Sequence, residues 1–267
     1  MSADKEVSVI LDELAKSSRI KVLAKKEKIS LESIKEQALN MKKTEDFPFE
    51  KALKKEGLSI IAEVKKASPS KGIIAADFPY LEIAKEYEES GANAISCLTE
   101  PEYFKGSDKY LEEIAKRVKI PVLRKDFTVD PYMIYEAKIL GASAILLIAA
   151  ILSDEELKDY YEIADSLGLS ALFEAHDEEE VKRCLALGAR IVGVNNRNLK
   201  DFTVDINNSI RLRELIPDDV IYVSESGIKT PEDLKILREN GTDAVLIGEM
   251  FMRSDNKKEL IESLHNL

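Results

Sequence analysis

Four short segments repeat one grammar along the chain, and that grammar sets its architecture. They are Ser90-Gly91-Ala92-Asn93-Ala94-Ile95, Leu140-Gly141-Ala142-Ser143-Ala144-Ile145, Leu187-Gly188-Ala189-Arg190-Ile191-Val192 and Asn240-Gly241-Thr242-Asp243-Ala244-Val245. Each reads as a helix end, a glycine in the left-handed position just past it, and the entry into a strand. The glycines lie 50, 47 and 53 residues apart. That spacing is too long for one strand–helix unit and suits two. Apolar runs at 120–124, 169–174 and 220–224 fall between them, and a first run at 58–64 brings the strands to eight. Helical patterns fill the gaps at 80–89, 109–118, 131–140, 154–167, 178–187, 206–215 and 231–239. Asp130 before Pro131, Ser153 before Asp154 and Thr230 before Pro231 supply N-caps.

Strand and helix alternating eight times over about 200 residues predicts an α/β fold, a (β/α)8 TIM barrel. An open doubly wound sheet is the rival, but the units are near-regular and no GxGxxG turn is present. Residues 1–57 are extra to a minimal barrel and form an N-terminal helical extension. Its patterns at 9–23, 31–41 and 49–55 suggest a lid or plug over one end, with its Met and Ile positions making core contacts. No linker rich in Gly, Pro and Ser interrupts the chain, so residues 1–267 read as one domain.

The apolar runs share a second property: each turns polar at its C-terminal end. Ser59-Ile60-Ile61-Ala62 runs into Glu63-Val64-Lys65-Lys66, Val122-Leu123 into Arg124-Lys125, and Leu172-Phe173 into Glu174. Val192-Gly193-Val194 runs into Asn195-Asn196-Arg197, and Tyr222-Val223 into Ser224-Glu225-Ser226-Gly227. Such strands place a polar site at the C-terminal edge of a parallel sheet.

The net charge of −11 argues against nucleic acid and anionic membranes as partners. An anionic small molecule then needs a local positive pocket, for which Lys65, Lys66, Lys71, Arg124, Lys125 and Arg197 lie at strand ends. Two cysteines, Cys97 and Cys184, are too few for a disulfide framework and read as packing thiols of a reducing compartment. The acidic N-terminus has no signal or transit character, and the longest apolar run, 144–152, is too short to span a bilayer. A cytoplasmic protein, free of membranes and monomeric, is the expectation.

The sequence lacks GxxxxGK, HExxH and CxxC. Of two histidines, His265 is near the end and His176 beside a strand end reads as structural. Proton transfer therefore rests on Lys and Glu. Glu63 and Lys65 are two apart on a strand and share a face. If that face is the barrel interior, Glu63, Lys65, Lys125, Glu174, Asn195 and Glu225 converge on one cavity, where carboxylates keep each lysine charged. The bland alternative is a structural ion-pair network at the barrel mouth. Ser224–Ile228 after the seventh strand and Leu246–Met250 after the eighth are in the usual barrel phosphate position. The Ser68-Pro69-Ser70-Lys71-Gly72 loop after the first strand can add a hydroxyl and a moving lid.

The run Ile61-Ala62-Glu63-Val64-Lys65-Lys66-Ala67-Ser68-Pro69-Ser70-Lys71-Gly72 resembles the signature of indole-3-glycerol phosphate synthases. The likeness continues through Leu123–Phe127, Phe173–His176, Gly193–Leu199, Val223–Ile228 and Leu246–Glu249, and includes the opening Ile10–Leu14. It implies ring closure of 1-(2-carboxyphenylamino)-1-deoxyribulose 5-phosphate in tryptophan biosynthesis, with no metal or organic cofactor. It further implies Lys125 as general acid, Lys65 on the anthranilate carboxylate, Glu174 as base or proton-positioning group and Glu63 orienting the lysines. Asn195 and Glu225 would hold hydroxyls, with Arg197 at the same rim. Ser68, Ser226, Gly227 and Gly248 would hold phosphate, and Phe127 would line the aryl pocket. Association with other enzymes of the pathway is a further expectation.

Met250-Phe251 depart from the small residues common after the Gly-Glu pair in that family, which implies altered local helix packing. A phosphoribosylanthranilate isomerase-like barrel would need a Cys after the first strand and an Asp after the sixth, where this chain has Glu63, Lys65, Asn195 and Arg197. A non-catalytic phosphate-binding barrel would have no reason to keep Lys125 and Glu174 indoors.

Overall fold

Each apolar run becomes a strand: β1 (Ser59–Val64), β2 (Ala94–Leu98), β3 (Val122–Lys125), β4 (Ala144–Ile148), β5 (Ser170–Ala175), β6 (Ile191–Asn195), β7 (Ile221–Glu225) and β8 (Ala244–Ile247). The structure is a computed structural model. It describes the backbone over residues 4–43, 46–198, 202–254 and 256–265, and side chains within 11–264 of those ranges. The strands are all parallel and close into a barrel in the order β1-β8-β7-β6-β5-β4-β3-β2, with β1 paired to both β8 and β2. They are buried along their whole length except at Lys125 and Asn195, the last residues of β3 and β6. Continuous burial is what a sheet covered by helices on one side and filled with side chains on the other requires.

The covering helices are α4 (Tyr80–Glu89), α5 (Asp108–Arg117), α6 (Pro131–Ile139), α7 (Asp154–Ser166), α8 (Glu178–Ala186), α9 (Asn207–Leu212) and α10 (Pro231–Glu239). Asp130 accepts from the Tyr132 amide, and Ser153 and Thr230 form capping boxes with Glu156 and Asp233. Gly91, Gly141, Gly188 and Gly241 all adopt φ between 76° and 97°, the left-handed turn that carries each helix into its next strand. The predicted helix at 206–215 is shorter, ending in a 3-10 turn at Arg213–Leu215.

The N-terminal extension holds α1 (Asp4–Lys26), α2 (Leu31–Leu39) and α3 (Pro48–Leu53). It covers both ends of the barrel rather than one. Lys21 reaches Asp126 at 2.8 Å, Arg19 donates to the Val129 carbonyl at 3.1 Å and Lys26 reaches Asp130 at 2.6 Å, so α1 crosses the C-terminal end. α3 closes the N-terminal end. Phe49 is fully buried there, and Glu50 accepts from Ser170 and Arg190 at the starts of β5 and β6. The expectation of buried Met and Ile in the extension fails in part. Ile34 is buried, but Ile20, Ile29 and Met41 are exposed, because an amphipathic pattern tolerates apolar residues on its outer face.

Two helices were absent from the sequence expectation, α11 (Glu249–Arg253) and α12 (Lys257–His265). They explain the Met250-Phe251 departure. Phe251 is fully buried with its ring 5.8 Å from that of Tyr87, whose hydroxyl donates to the Met252 sulfur at 3.3 Å. One continuous apolar core runs from Leu11 to Leu264.

The α1 tether carries a measurable stability. Asp126 is buried and accepts from Lys21, Thr99 and its own neighbour's amide, Phe127. Lys21→Met removes the nearer cation and leaves the carboxylate with Arg124, 3.8 Å away, and neutral donors. Urea unfolding is expected to show a loss of roughly 2 kcal/mol. A variant as stable as the parent would show that the Lys21–Asp126 pair adds nothing to the hold on α1.

Candidate active site

Strand alternation decides which charged ends face inward. Lys125 faces the interior, whereas its neighbour Arg124 faces outward beneath α5 and α6. Arg124 is 1% exposed and donates to Asp108, Glu136 and the Met133 carbonyl at 2.7, 2.7 and 2.9 Å. Arg124 therefore leaves the set of cations expected at the pocket. Lys66 leaves it too, lying 5.9 Å from the Phe78 ring.

A cavity of about 650 Å³ opens at the C-terminal end of the barrel. Its wall includes Glu63, Lys65, Ser68, Lys125, Phe127, Glu174, Asn195, Arg197, Glu225, Ser226, Gly227 and Gly248. The six charged and amide groups expected to converge do so. Lys125 Nζ donates to Glu174 at 2.8 Å and to Glu225 at 2.6 Å. Lys65 Nζ lies 2.5 Å from Glu63. Asn195 Nδ2 donates to the other oxygen of Glu174 at 3.2 Å, while its Oδ1 accepts from the Arg197 amide. Arg197 donates onward to the Phe202 carbonyl at 3.2 Å. Leu199, the end of the motif that contains both, lies outside the described residues.

Two carboxylates share one ammonium, so they cannot be equivalent. Glu174 has further support from Asn195 and from His176, whose Nε2 is 3.5 Å away. Glu225 Oε1 has no hydrogen-bond partner among the described residues. Burial would raise both. For Glu174, Lys125 and His176 outweigh burial and hold the group well below the carboxylate range. For Glu225, burial and the charge of Glu174 outweigh Lys125 and push it up to about 7. Burial also works against charge on Lys125, but Glu174, Glu225 and Glu63 overcome it and keep the ammonium charged far beyond neutral pH.

These shifts have a sign in stability. The unfolded chain releases the Glu225 proton near its ordinary 4.5, while the folded protein keeps it to about 7. Unfolding then releases a proton in that window, so this group's contribution is complete below 4.5 and is lost as pH rises towards 7. Glu174 runs oppositely: its contribution is complete above 4.5 and is lost as the solution becomes more acid. Glu225→Gln removes the first effect. Its melting temperature relative to the parent is expected to climb between pH 4.5 and 7 and then level off. A pH-independent difference would place the proton elsewhere.

Other contacts were not legible as parts of the site. Leu11 and Leu14 of α1 and Phe104 join Phe127 on an apolar wall, the two phenyl rings lying 6.2 Å apart. The expected loop after β1 is partly ordered as a two-residue hairpin, Ala67–Ser68 with Gly72–Ile73. Its Lys71 is 3.8 Å from Glu249 across the mouth. Gly193 and Gly248 leave the space that two cavity carboxylates occupy. A Cβ on Gly193 would fall 2.3 Å from Glu225 Oε1, and one on Gly248 would fall 2.3 Å from Glu63 Oε2. After β7, Ser226 and Gly227 both have positive φ, 68° and 86°. A left-handed serine is uncommon and persists only where its surroundings enforce it.

A family model described as indole-3-glycerol phosphate synthase matches residues 11–264. The chain belongs to the indole-3-glycerol phosphate synthase family. Proteins of that name resemble it closely. The one from Ruminiclostridium cellulolyticum is 58% identical over 92% of this chain and 95% of its own length. Those from Lacticaseibacillus paracasei and Endomicrobium trichonymphae are each 53% identical, covering 95% and 96% of this chain and 97% and 99% of their own. Among solved structures, a thiamine phosphate pyrophosphorylase from Pyrococcus furiosus superposes with a TM-score of 0.59 at 16% identity, over 78% of this chain and 94% of that one. An N-acetylmannosamine-6-phosphate 2-epimerase from Clostridium perfringens gives 0.57 at 19%, over 72% and 86%. At that identity the two structures share the barrel fold and support nothing further. Membership in the indole-3-glycerol phosphate synthase family rests on the model and the close relatives. No helix among the described residues is long and apolar enough to cross a membrane.

Proposed function

We propose that this protein closes the indole ring of indole-3-glycerol phosphate. It converts 1-(2-carboxyphenylamino)-1-deoxyribulose 5-phosphate into indole-3-glycerol phosphate, carbon dioxide and water. The observation that carries the reading is the Lys125 ammonium held between Glu174 and Glu225 inside the cavity, with the Lys65–Glu63 pair on the same wall.

The substrate has a dianionic phosphate at one end and a carboxylate on the aryl ring at the other. Two separate cationic or amide-rich ends would hold it extended, leaving the keto carbon opposite the ring carbon that bears the carboxylate. Lys125 would donate its proton to the ketone oxygen as that ring carbon attacks. Lys65 would hold the carboxylate until it leaves as carbon dioxide and the ring regains aromaticity. Loss of the new hydroxyl as water then needs one proton donor and one acceptor. Glu174, kept ionised, suits acceptance or positioning, and Lys65 suits donation. Glu63 would orient Lys65, and Glu225 and Asn195 would face the sugar hydroxyls with Arg197 at the rim. Asn195 is committed to Glu174 and Arg197 before substrate arrives, so its hydroxyl contact would need one of those bonds to yield. Phe127, with Phe104 and Leu14, suits the flat aryl ring. Ser68, Ser226, Gly227 and Gly248 suit the phosphate, as turns after β7 and β8 commonly do in barrels.

On this reading residues 1–267 act as one domain and a monomer in the cytoplasm. Cys97 and Cys184, both buried and unbridged, suit a reducing compartment. Association with other enzymes of tryptophan synthesis would pass intermediates along without altering this site. The test is incubation of purified protein with the carboxyphenylamino ribulose phosphate. Indole fluorescence and carbon dioxide should rise together in equal amounts. Consumption without carbon dioxide, or none at all, would overturn the assignment.

A further inference from the structure

Asn196 lies just beyond β6 and is buried, with its side chain turned away from the cavity that Asn195 and Arg197 line. A buried primary amide can make four hydrogen bonds, and this one makes all four. Its Nδ2 donates to Ser224 Oγ and to the Ser226 carbonyl, both at 3.0 Å. Its Oδ1 accepts from the Ser209 amide at 2.9 Å and the Ser209 hydroxyl at 2.8 Å. Ser209 and Ser224 are joined at 2.8 Å, and Tyr222 donates to the Ser209 carbonyl at 2.7 Å. The residue thus ties β6, β7 and α9 together at one point.

The Ser226 carbonyl belongs to the peptide unit that also carries the Gly227 amide. In a planar trans peptide those two groups point in opposite directions. Fixing the carbonyl on Asn196 therefore aims the Gly227 amide the other way. That amide makes no hydrogen bond among the described residues, and Ser226 and Gly227 both line the cavity. Ser226 has the left-handed backbone that needs enforcement from outside. A Cβ on Gly227 would lie 2.5 Å from Val204 Cγ1 and 3.6 Å from Asn196 Cβ, so the turn is pressed against this same wall.

We propose that Asn196 is the positioning residue of the phosphate end: through the Ser226 carbonyl it holds the Gly227 amide in the direction from which it grips the substrate phosphate. The inference rests on the reading that the turn after β7 binds phosphate. Asn196 touches no reacting atom, so its loss should act on binding and leave the chemical step nearly intact.

The experiment measures steady-state constants and competitive inhibition by inorganic phosphate for the parent, Asn196→Ala and Asn196→Asp, all as full chains. In both variants KM and the phosphate inhibition constant should rise together by about tenfold, with kcat changed by less than about threefold. Asn196→Asp keeps the shape but cannot donate to the Ser226 carbonyl, so it should match or exceed Asn196→Ala. Destabilisation alone would lower the folded fraction and hence apparent kcat, while the folded remainder kept its KM and inhibition constant. A variant that is partly unfolded therefore still reports. Unchanged phosphate inhibition in both variants overturns the role of Asn196. Absence of competition by phosphate in the parent overturns instead the phosphate reading on which it rests.

Discussion

Lys125→Ala is expected to lower kcat by about 10³-fold or more while substrate still binds. The ammonium is the group at the centre of the cavity with contacts to two carboxylates, and no other described donor occupies its place between them. Removing it leaves Glu174 with Asn195 and His176, while Glu225, which the ammonium holds down, keeps its proton still more firmly. The site should therefore survive, at a cost of roughly 3 kcal/mol for the broken buried contacts. On the proposed assignment, binding at the carboxylate and phosphate ends should be retained, because Lys65, Ser226, Gly227 and Gly248 are untouched. Equilibrium titration of the variant with substrate, beside its turnover rate, separates the two effects. Turnover near the parent's would remove Lys125 from the mechanism. Loss of binding together with turnover would make it an anchor and not an acid.

Gly193→Ala is expected to lower kcat by about a hundredfold although the glycine carries no functional group. Its missing side chain is the space over which Glu225 lies. A methyl group there would fall 2.3 Å from Glu225 Oε1 and 3.1 Å from Leu172 Cδ1. Glu225 is 2% exposed and yields towards the cavity it lines. It must swing off Lys125, which would then relax towards Glu174 alone. Overpacking should cost roughly 1–3 kcal/mol of stability, small beside the kinetic loss. A crystal structure of the variant with Glu225 still 2.6 Å from Lys125, or an unaltered kcat, would contradict this account.

The barrel and the residues of the cavity were legible in the sequence for a definite reason. Strand alternation places residues two apart on one face, and the helix–glycine–strand grammar fixes the phase of each strand. Alternation also holds the answer for Arg124: the residue before an inward Lys125 must face outward, where Asp108 and Glu136 neutralise it. Counting cations by proximity to a strand end misses that distinction. The extension was less legible. Amphipathic periodicity says that a helix buries one face, but not against what, so α1 over the C-terminal end and α3 under the N-terminal end could not be told apart. Gly193 and Asn196 were quoted within motifs without roles. One acts by what it lacks. The other acts through a carbonyl that only the folded chain brings within 3.0 Å. The inequality of Glu174 and Glu225 depends on which carboxylate gains extra donors, which composition does not encode.

The central claim is spatial: one ammonium reaches the oxygen of the ketone while the two anionic ends are held apart. A crystal structure with the borohydride-reduced substrate tests it directly, since the alcohol oxygen of that compound stands in for the ketone oxygen. Lys125 Nζ should lie about 3 Å from that oxygen, with the phosphate against Gly227 and Gly248 and the aryl carboxylate on Lys65. An alcohol oxygen out of reach of Lys125, or a phosphate away from Gly227, would contradict the account.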